Sequence, residues 1–133
     1  MELNLIMRAA GFSVALVSMV LVSSIQAQGM ENYNAGLLAA ESGDYATAAS
    51  EWQPLADRGD AVAQFNLGLM YHRGLGVAMS EEKAVSWYQK SAENGYPKAQ
   101  EFLAAAYREG WFGLAQDPQK AAYWARRLES ASF

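Results

Sequence analysis

The stretch Asp60-Ala-Val-Ala-Gln-Phe-Asn-Leu-Gly-Leu-Met-Tyr71 decides how the rest of the chain is read. Its apolar residues Ala63, Leu67, Met70 and Tyr71 recur at the spacing of one helix face. Asp60, just after Gly59, suits the N-cap, and Gly74 and Gly76 break the helix. The pattern returns 36 residues downstream: Ala63 meets Ala99, Gln64 meets Gln100, Leu67 meets Leu103, Tyr71 meets Tyr107 and Gly74 meets Gly110. Phe65 falls one place short of Phe102. An extra loop residue then moves the shift to 37, so that Lys83-Ala84 meets Lys120-Ala121 and Trp87 meets Trp124. Upstream, a shift of 36 pairs Ala84 with Ala48, Ala92 with Ala56 and Gly95 with Gly59. Self-similarity at this period is the signature of stacked repeats.

Each unit reads as helix–turn–helix. Ser80 caps the second helix of the middle unit, with Glu81 and Glu82 in its first turn at the positive end of the helix dipole. That helix carries Ala84, Val85, Trp87, Tyr88 and Ala92 and stops at Asn94-Gly95. In the third unit Pro97 and Pro118 suit first helical positions, the latter behind Asp117. The predicted helices are 31–41, 45–57, 61–73, 81–94, 98–109 and 118–130, in repeats spanning 30–59, 60–95 and 96–130. Pro54 is expected to kink or break the second of them, because it removes a helical hydrogen bond. Alanine or glycine at Ala63, Gly68, Ala84 and Ala92 lets helices approach closely, with Tyr71, Trp87 and Tyr107 filling the gaps. One pair cannot bury its own apolar face, so stacking supplies the core, and three units are about the minimum.

In front of the repeats, Ala9 to Ile25 holds no charge, is preceded by Arg8 and runs out through Ser23-Ser24-Ile25-Gln26-Ala27. A weakly positive start, an apolar run and a small-residue exit read as a secretory signal peptide, residues 1–27, cut after Ala27. The mature domain is then 28–133, periplasmic or secreted. Ile25 is bulkier than the usual residue two positions before such a cut, which leaves a runner-up, an uncleaved helix anchoring the protein in the inner membrane. A lipoprotein anchor needs a cysteine, and the chain has none.

The composition agrees with an accessory apolar segment. Of 133 residues 18% are charged and 52% hydrophobic, against roughly 25% charged in ordinary soluble chains. Net charge is −4, which excludes an electrostatic nucleic-acid footprint. One histidine and no cysteine exclude disulfide scaffolds, zinc ribbons and most His- or Cys-based metal chemistry. No cofactor is expected.

Asp60 to Tyr71, Gly74-Leu-Gly-Val77, Lys83-Ala84, Trp87-Tyr88 and Ala92 to Gly95 resemble a Sel-1-like repeat, a relative of the tetratricopeptide repeat. The third unit matches at Ala99, Leu103, Tyr107, Gly110, Lys120-Ala121 and Trp124, with Ala104 for the usual glycine and Trp111-Phe112-Gly113 in its loop. In the first, Gly36, Gly43-Asp44-Tyr45, Ala48 and Trp52 look more like an ordinary tetratricopeptide unit. The resemblance implies an all-α, right-handed superhelix of about three antiparallel helix pairs that acts as an adaptor through its concave surface. It also implies a protein partner, commonly, for exported bacterial members, within the cell envelope.

Signs of catalysis are few. Ser80-Glu81-Glu82-Lys83 fits Ser-x-x-Lys, the nucleophile motif of penicillin-recognising enzymes, and leaves a hydrolase of β-lactams or cell-wall peptides as the alternative. The companion Ser-Asp-Asn and Lys-Thr-Gly motifs are absent, and Lys120 recurs behind Asp117 instead of serine. The plainer reading is a helix cap followed by a repeat lysine. Gly74-Leu75-Gly76 begins like a phosphate loop but follows a helix, so it reads as a repeat turn. His72 can form no histidine-pair metal site.

The first helix of each pair should line the concave face. Positions there not required for packing are Tyr33, Leu37, Val62, Leu69, His72, Arg73, Lys98, Glu101, Ala105 and Arg108. Their character runs from apolar in the first unit to charged in the third, which suits an extended segment with an apolar anchor at one end and charges at the other. Trp111 and Phe112 either tuck over the helix ends or form a binding contact. After Arg126-Arg127 the sequence gives no polar capping helix, so Tyr123 and Leu128 are expected to leave an apolar edge open to self-association. The expected protein is a non-catalytic interaction module or scaffold.

Overall fold

The computed structural model describes residues 14–130. Six α-helices and no strand occur among the described residues: α1 (Val14–Glu41), α2 (Tyr45–Asp57), α3 (Ala61–Arg73), α4 (Glu81–Glu93), α5 (Pro97–Glu109) and α6 (Pro118–Ser130). The last five coincide with the predicted helices to within a residue. Their starts are capped as the sequence indicates. Asp44 accepts from the Thr47 amide at 3.1 Å, Asp60 from Ala63 at 2.7 Å, Ser80 from Lys83 at 3.2 Å and Asp117 from Lys120 at 3.0 Å. Hydrogen bonding to Thr47 also holds the Asp44 carboxyl below its ordinary pKa. Gly74 and Gly110 end α3 and α5 in the left-handed conformation, at φ 66° and 74°.

Two expectations are corrected. The first helix begins by Val14, not at residue 31, since no proline interrupts the sequence from there to Glu41. Pro54 does not break α2, which runs unbroken from Tyr45 to Asp57. Pro54 and Ser50, whose carbonyl loses its amide donor, both lie on the exposed face, where water can replace the missing bond.

The chain divides into two compact units, residues 1–31 and 32–133. In the first, Met19, Leu21, Val22, Ile25 and Met30 on α1 are exposed. Residues 1–13 of the expected leader lie outside the described residues. No helix among the described residues is long and apolar enough to cross a membrane.

The second unit is an all-α solenoid in which each of α2 to α6 packs on its neighbour in sequence. One core cluster centres on Ala48, Trp52, Leu55, Ala63, Leu67 and Met70, and the next on Ala84, Tyr88, Ala92, Ala99, Leu103, Tyr107 and Trp124. Leu67 and Leu103, a repeat pair, are fully buried, each worth about 2 kcal/mol of apolar transfer. Helices approach through small residues set against rings. Gly36 faces Trp52, whose indole would overlap any Cβ placed there, and Gly68 faces Tyr88 in the same way. At the corresponding places the third unit has Ala104 and Ala125: the glycine has gained a methyl where the ring is gone.

Buried polar groups tie the pairs together. Gln64 Nε2 donates to the Ala56 carbonyl at 2.9 Å, and Gln100 Nε2 repeats this to Ala92 at 3.0 Å. Within the middle pair, Ser91 donates to the Ala61 carbonyl at 2.6 Å and Asn94 Nδ2 to Gln64 Oε1 at 3.0 Å. Both glutamines are almost wholly buried, so these bonds satisfy groups that water cannot reach.

Candidate functional site

The ten residues expected to line the groove do lie on α1, α3 and α5, but they divide by environment. Leu37, Arg73, Lys98, Glu101 and Arg108 are exposed, and Val62 and Ala105 are half-buried. Tyr33, Leu69 and His72 contribute to packing, contrary to the expectation that they are spare. The Tyr33 ring lies 6.0 Å from that of Trp52, and its carbonyl accepts the indole N–H at 3.2 Å. Leu69 packs against the second core cluster. His72 is half-buried, with Nδ1 3.4 Å from the Tyr88 hydroxyl and its ring edge-on to Phe112 at 4.5 Å. Tyr33 is taken up by Trp52 of its own pair, and His72 by Tyr88 of its own pair and Phe112 of the next, so part of the expected free face is occupied.

Leu69 and Arg73 share a cavity of about 140 Å³ with Ala40, Trp52, Asn66 and Met70. It lies where α1, α2 and α3 meet, with mostly apolar walls and with Asn66 and Arg73 among its lining residues. Asn66, Leu69 and Arg73 stand at i, i+3 and i+7 on α3, a spacing that could have nominated Asn66 from sequence. Ala40 and Trp52 carry no such signal, because they arrive from other helices. Beyond this cavity the exposed positions become charged on α5. Arg108 pairs with its neighbour Glu109 at 3.0 Å, an exposed contact worth well under about 1 kcal/mol that leaves the guanidinium available to a partner.

The loop pair Trp111-Phe112 is split. Phe112 tucks in, 5.1 Å from Phe102 as well as against His72, and adopts a positive φ of 57° to do so. Trp111 remains 48% exposed. Beneath them Tyr88 is fully buried, and that burial pushes its hydroxyl pKa up to about 12, against a smaller lowering by the Arg73 charge. On α6, Tyr123 is exposed and Leu128 half-buried.

Ser80 and Lys83 are arranged as repeat residues. The serine hydroxyl accepts the Lys83 backbone amide, and the Lys83 ammonium sits 5.2 Å from the Tyr71 ring centroid. Lys120 stands 5.1 Å over Tyr107 in the same way, behind an aspartate cap. A lysine on a tyrosine face thus recurs whether or not a serine precedes it. No group of three or more His, Asp or Glu among the described residues could hold a metal ion.

Comparison with known proteins agrees with this geometry. A family model described as Sel1 repeat matches residues 61–96 and 97–130. The chain is 41% identical over 78 residues to the F-box protein At1g70590 of Arabidopsis thaliana, covering 58% of this chain and 21% of that protein. It is 36% identical over 56 residues to the ERAD-associated E3 ubiquitin-protein ligase component HRD3A of the same plant, covering 41% of this chain and 8% of that protein. The chain therefore spans about a fifth or less of the length of these curated relatives. Among solved structures, a Sel1 repeat protein from Oxalobacter formigenes superposes with a TM-score of 0.69 at 30% identity, over 85% of this chain and 88% of that one. The protective antigen c5321 of uropathogenic Escherichia coli, displaying an SLR fold, gives a TM-score of 0.70 at 30% identity, over 83% of this chain and 24% of that one.

Proposed function

The chain belongs to the Sel1 repeat family, whose repeats are protein–protein interaction modules, and we propose that it is a non-catalytic adaptor binding an extended partner segment along α1, α3 and α5. The observation that carries this reading is the cavity shared by Leu69 and Arg73, followed along the stack by the exposed charges of α5. An apolar side chain of the partner occupies the cavity, while its charged groups meet Lys98, Glu101 and Arg108. The positively charged start, apolar run and small-residue exit of residues 1–27 support export, and with it a place in the bacterial envelope. An N-terminus at Gln28, read by mass measurement on the native protein, is the expected result for release; an intact leader overturns it.

The binding surface is tested by photo-crosslinking in cells from Leu69 and Arg108. The captured partner is then used in pull-downs with Leu69→Gln combined with Arg108→Glu. Partner recovery should fall at least tenfold with helicity preserved, and the exposed change Arg73→Glu should lower it without touching the core. Unchanged recovery with all of these variants overturns the mapping.

A further inference from the structure

A second recess is separate from that surface. An open groove of about 520 Å³ lies between the outer side of α4 and the loop joining α5 to α6. Val85, Phe112 and Leu114 form its apolar part, and Glu81 and Glu82 stand along one margin. Val85 is buried and Phe112 is held by His72 and Phe102, so these walls are already in place before anything binds. The half-exposed Trp111 adjoins Phe112 in the same loop.

The charge is one-sided. Neither Glu81 nor Glu82 belongs to an ion pair among the described residues, and no lysine or arginine lines the groove. Lys83, next along the helix, holds its ammonium over Tyr71 instead. An apolar recess bordered by two unpaired carboxylates complements one kind of side-chain pairing. We infer that this groove docks a partner polypeptide segment in which a leucine-like side chain stands beside lysine or arginine. The apolar side chain covers Val85, Phe112 and Leu114, the cation meets Glu81 and Glu82, and Trp111 supplies further apolar contact. The aromatic pair is particular to the third repeat, since the middle one has Leu75-Gly76 in that place. The inference does not depend on the surface formed by α1, α3 and α5.

The test uses the full chain, labelled with ¹⁵N, and two probes: the peptide Gly-Ser-Leu-Lys-Leu-Arg-Ser-Gly and its counterpart with glutamate at both basic positions. The basic peptide should shift the amides of residues 81–86 and 112–114 and the Trp111 indole, with an affinity that falls as salt is raised. The acidic peptide should leave them in place. Glu81→Gln with Glu82→Gln, which keeps the Ser80 cap, should weaken the basic peptide at least fivefold at unchanged helicity, and Leu114→Ser should do the same. Equal shifts from both peptides, shifts confined to α1, α3 and α5, no shifts at all, or full affinity in the folded Glu→Gln variant would each overturn the inference.

Discussion

Gly68 lies so close to Tyr88 that a Cβ on the glycine would stand 2.6 Å from the tyrosine ring. Real carbon contacts are about an ångström longer. The ring is itself fully buried between α3 and α5, so it has no free direction in which to yield.

Gly68→Ala should therefore destabilise the protein by about 1–3 kcal/mol, the usual range for an overpacked core. Tyr88→Ala alone leaves a cavity and should cost about 3–5 kcal/mol. The two together reproduce the Ala104 and Ala125 combination of the third repeat, and should cost less than the sum of the single changes. Urea unfolding of the four-member cycle measures the coupling, and strict additivity would refute the steric account.

Tyr88 also makes stability sensitive to alkali. Its hydroxyl pKa is raised to about 12, so between pH 10 and 12 the unfolded chain loses this proton while the folded one keeps it. The contribution is complete below about pH 10 and is lost as pH rises through 12, on the order of 2 kcal/mol in all. Melting temperatures of the wild type and Tyr88→Phe should converge in that window, since the variant has nothing to ionise there. Parallel curves would count against the assignment.

Gln64 and Gln100 hold equivalent positions but are not equally satisfied. Gln64 both donates to Ala56 and accepts from Asn94, whereas Gln100 Oε1 is buried without a hydrogen-bond partner. Gln64→Met should cost more than Gln100→Met by about 1 kcal/mol, because it removes two hydrogen bonds, whereas Gln100→Met removes one and also takes away a buried unpaired oxygen. Chemical denaturation of the two variants compares them directly.

Ser80→Ala removes a helix cap and should lower stability by about 1 kcal/mol. With a chromogenic β-lactam, both the wild type and the variant should stay at the buffer rate. Turnover by the wild type that disappears in the variant would restore the hydrolase reading.

Much of this architecture was legible in the sequence because repeats state each feature more than once. Asp60 and Ser80 announced their caps, Gly74 and Gly110 their stops, and Leu67 and Leu103 their burial. The proposed binding surface is less complete in the sequence. Periodicity places Leu69 and Arg73 on one face of α3, but Trp52 reaches their cavity across the packing of three helices. Tyr33, Leu69 and His72 look spare on a helix wheel, because a wheel shows one helix and not the rings that other helices and loops bring against it. The separation of Phe112 from Trp111 depends on one positive φ at a bulky residue, which residue type alone disfavours. The early start of α1 was hidden for a different reason, since a signal-peptide pattern describes export and is silent on conformation.

The unmatched oxygen of Gln100 has a consequence for how the stack comes apart. Helix α4 is fastened to α3 by the Ser91 hydroxyl and the Asn94 amide, and the corresponding residues after α5 are Leu128 and Ala131, whose side chains carry no donor. Helix α6 is held to α5 instead by Trp124, by Lys120 over the Tyr107 ring and by the Asp117 amide bonded to the Tyr107 carbonyl. The middle and last pairs are thus closed by different chemistry, side-chain donors in one and a ring with a cation in the other, so loss of one fastening is not answered in the same way along the stack.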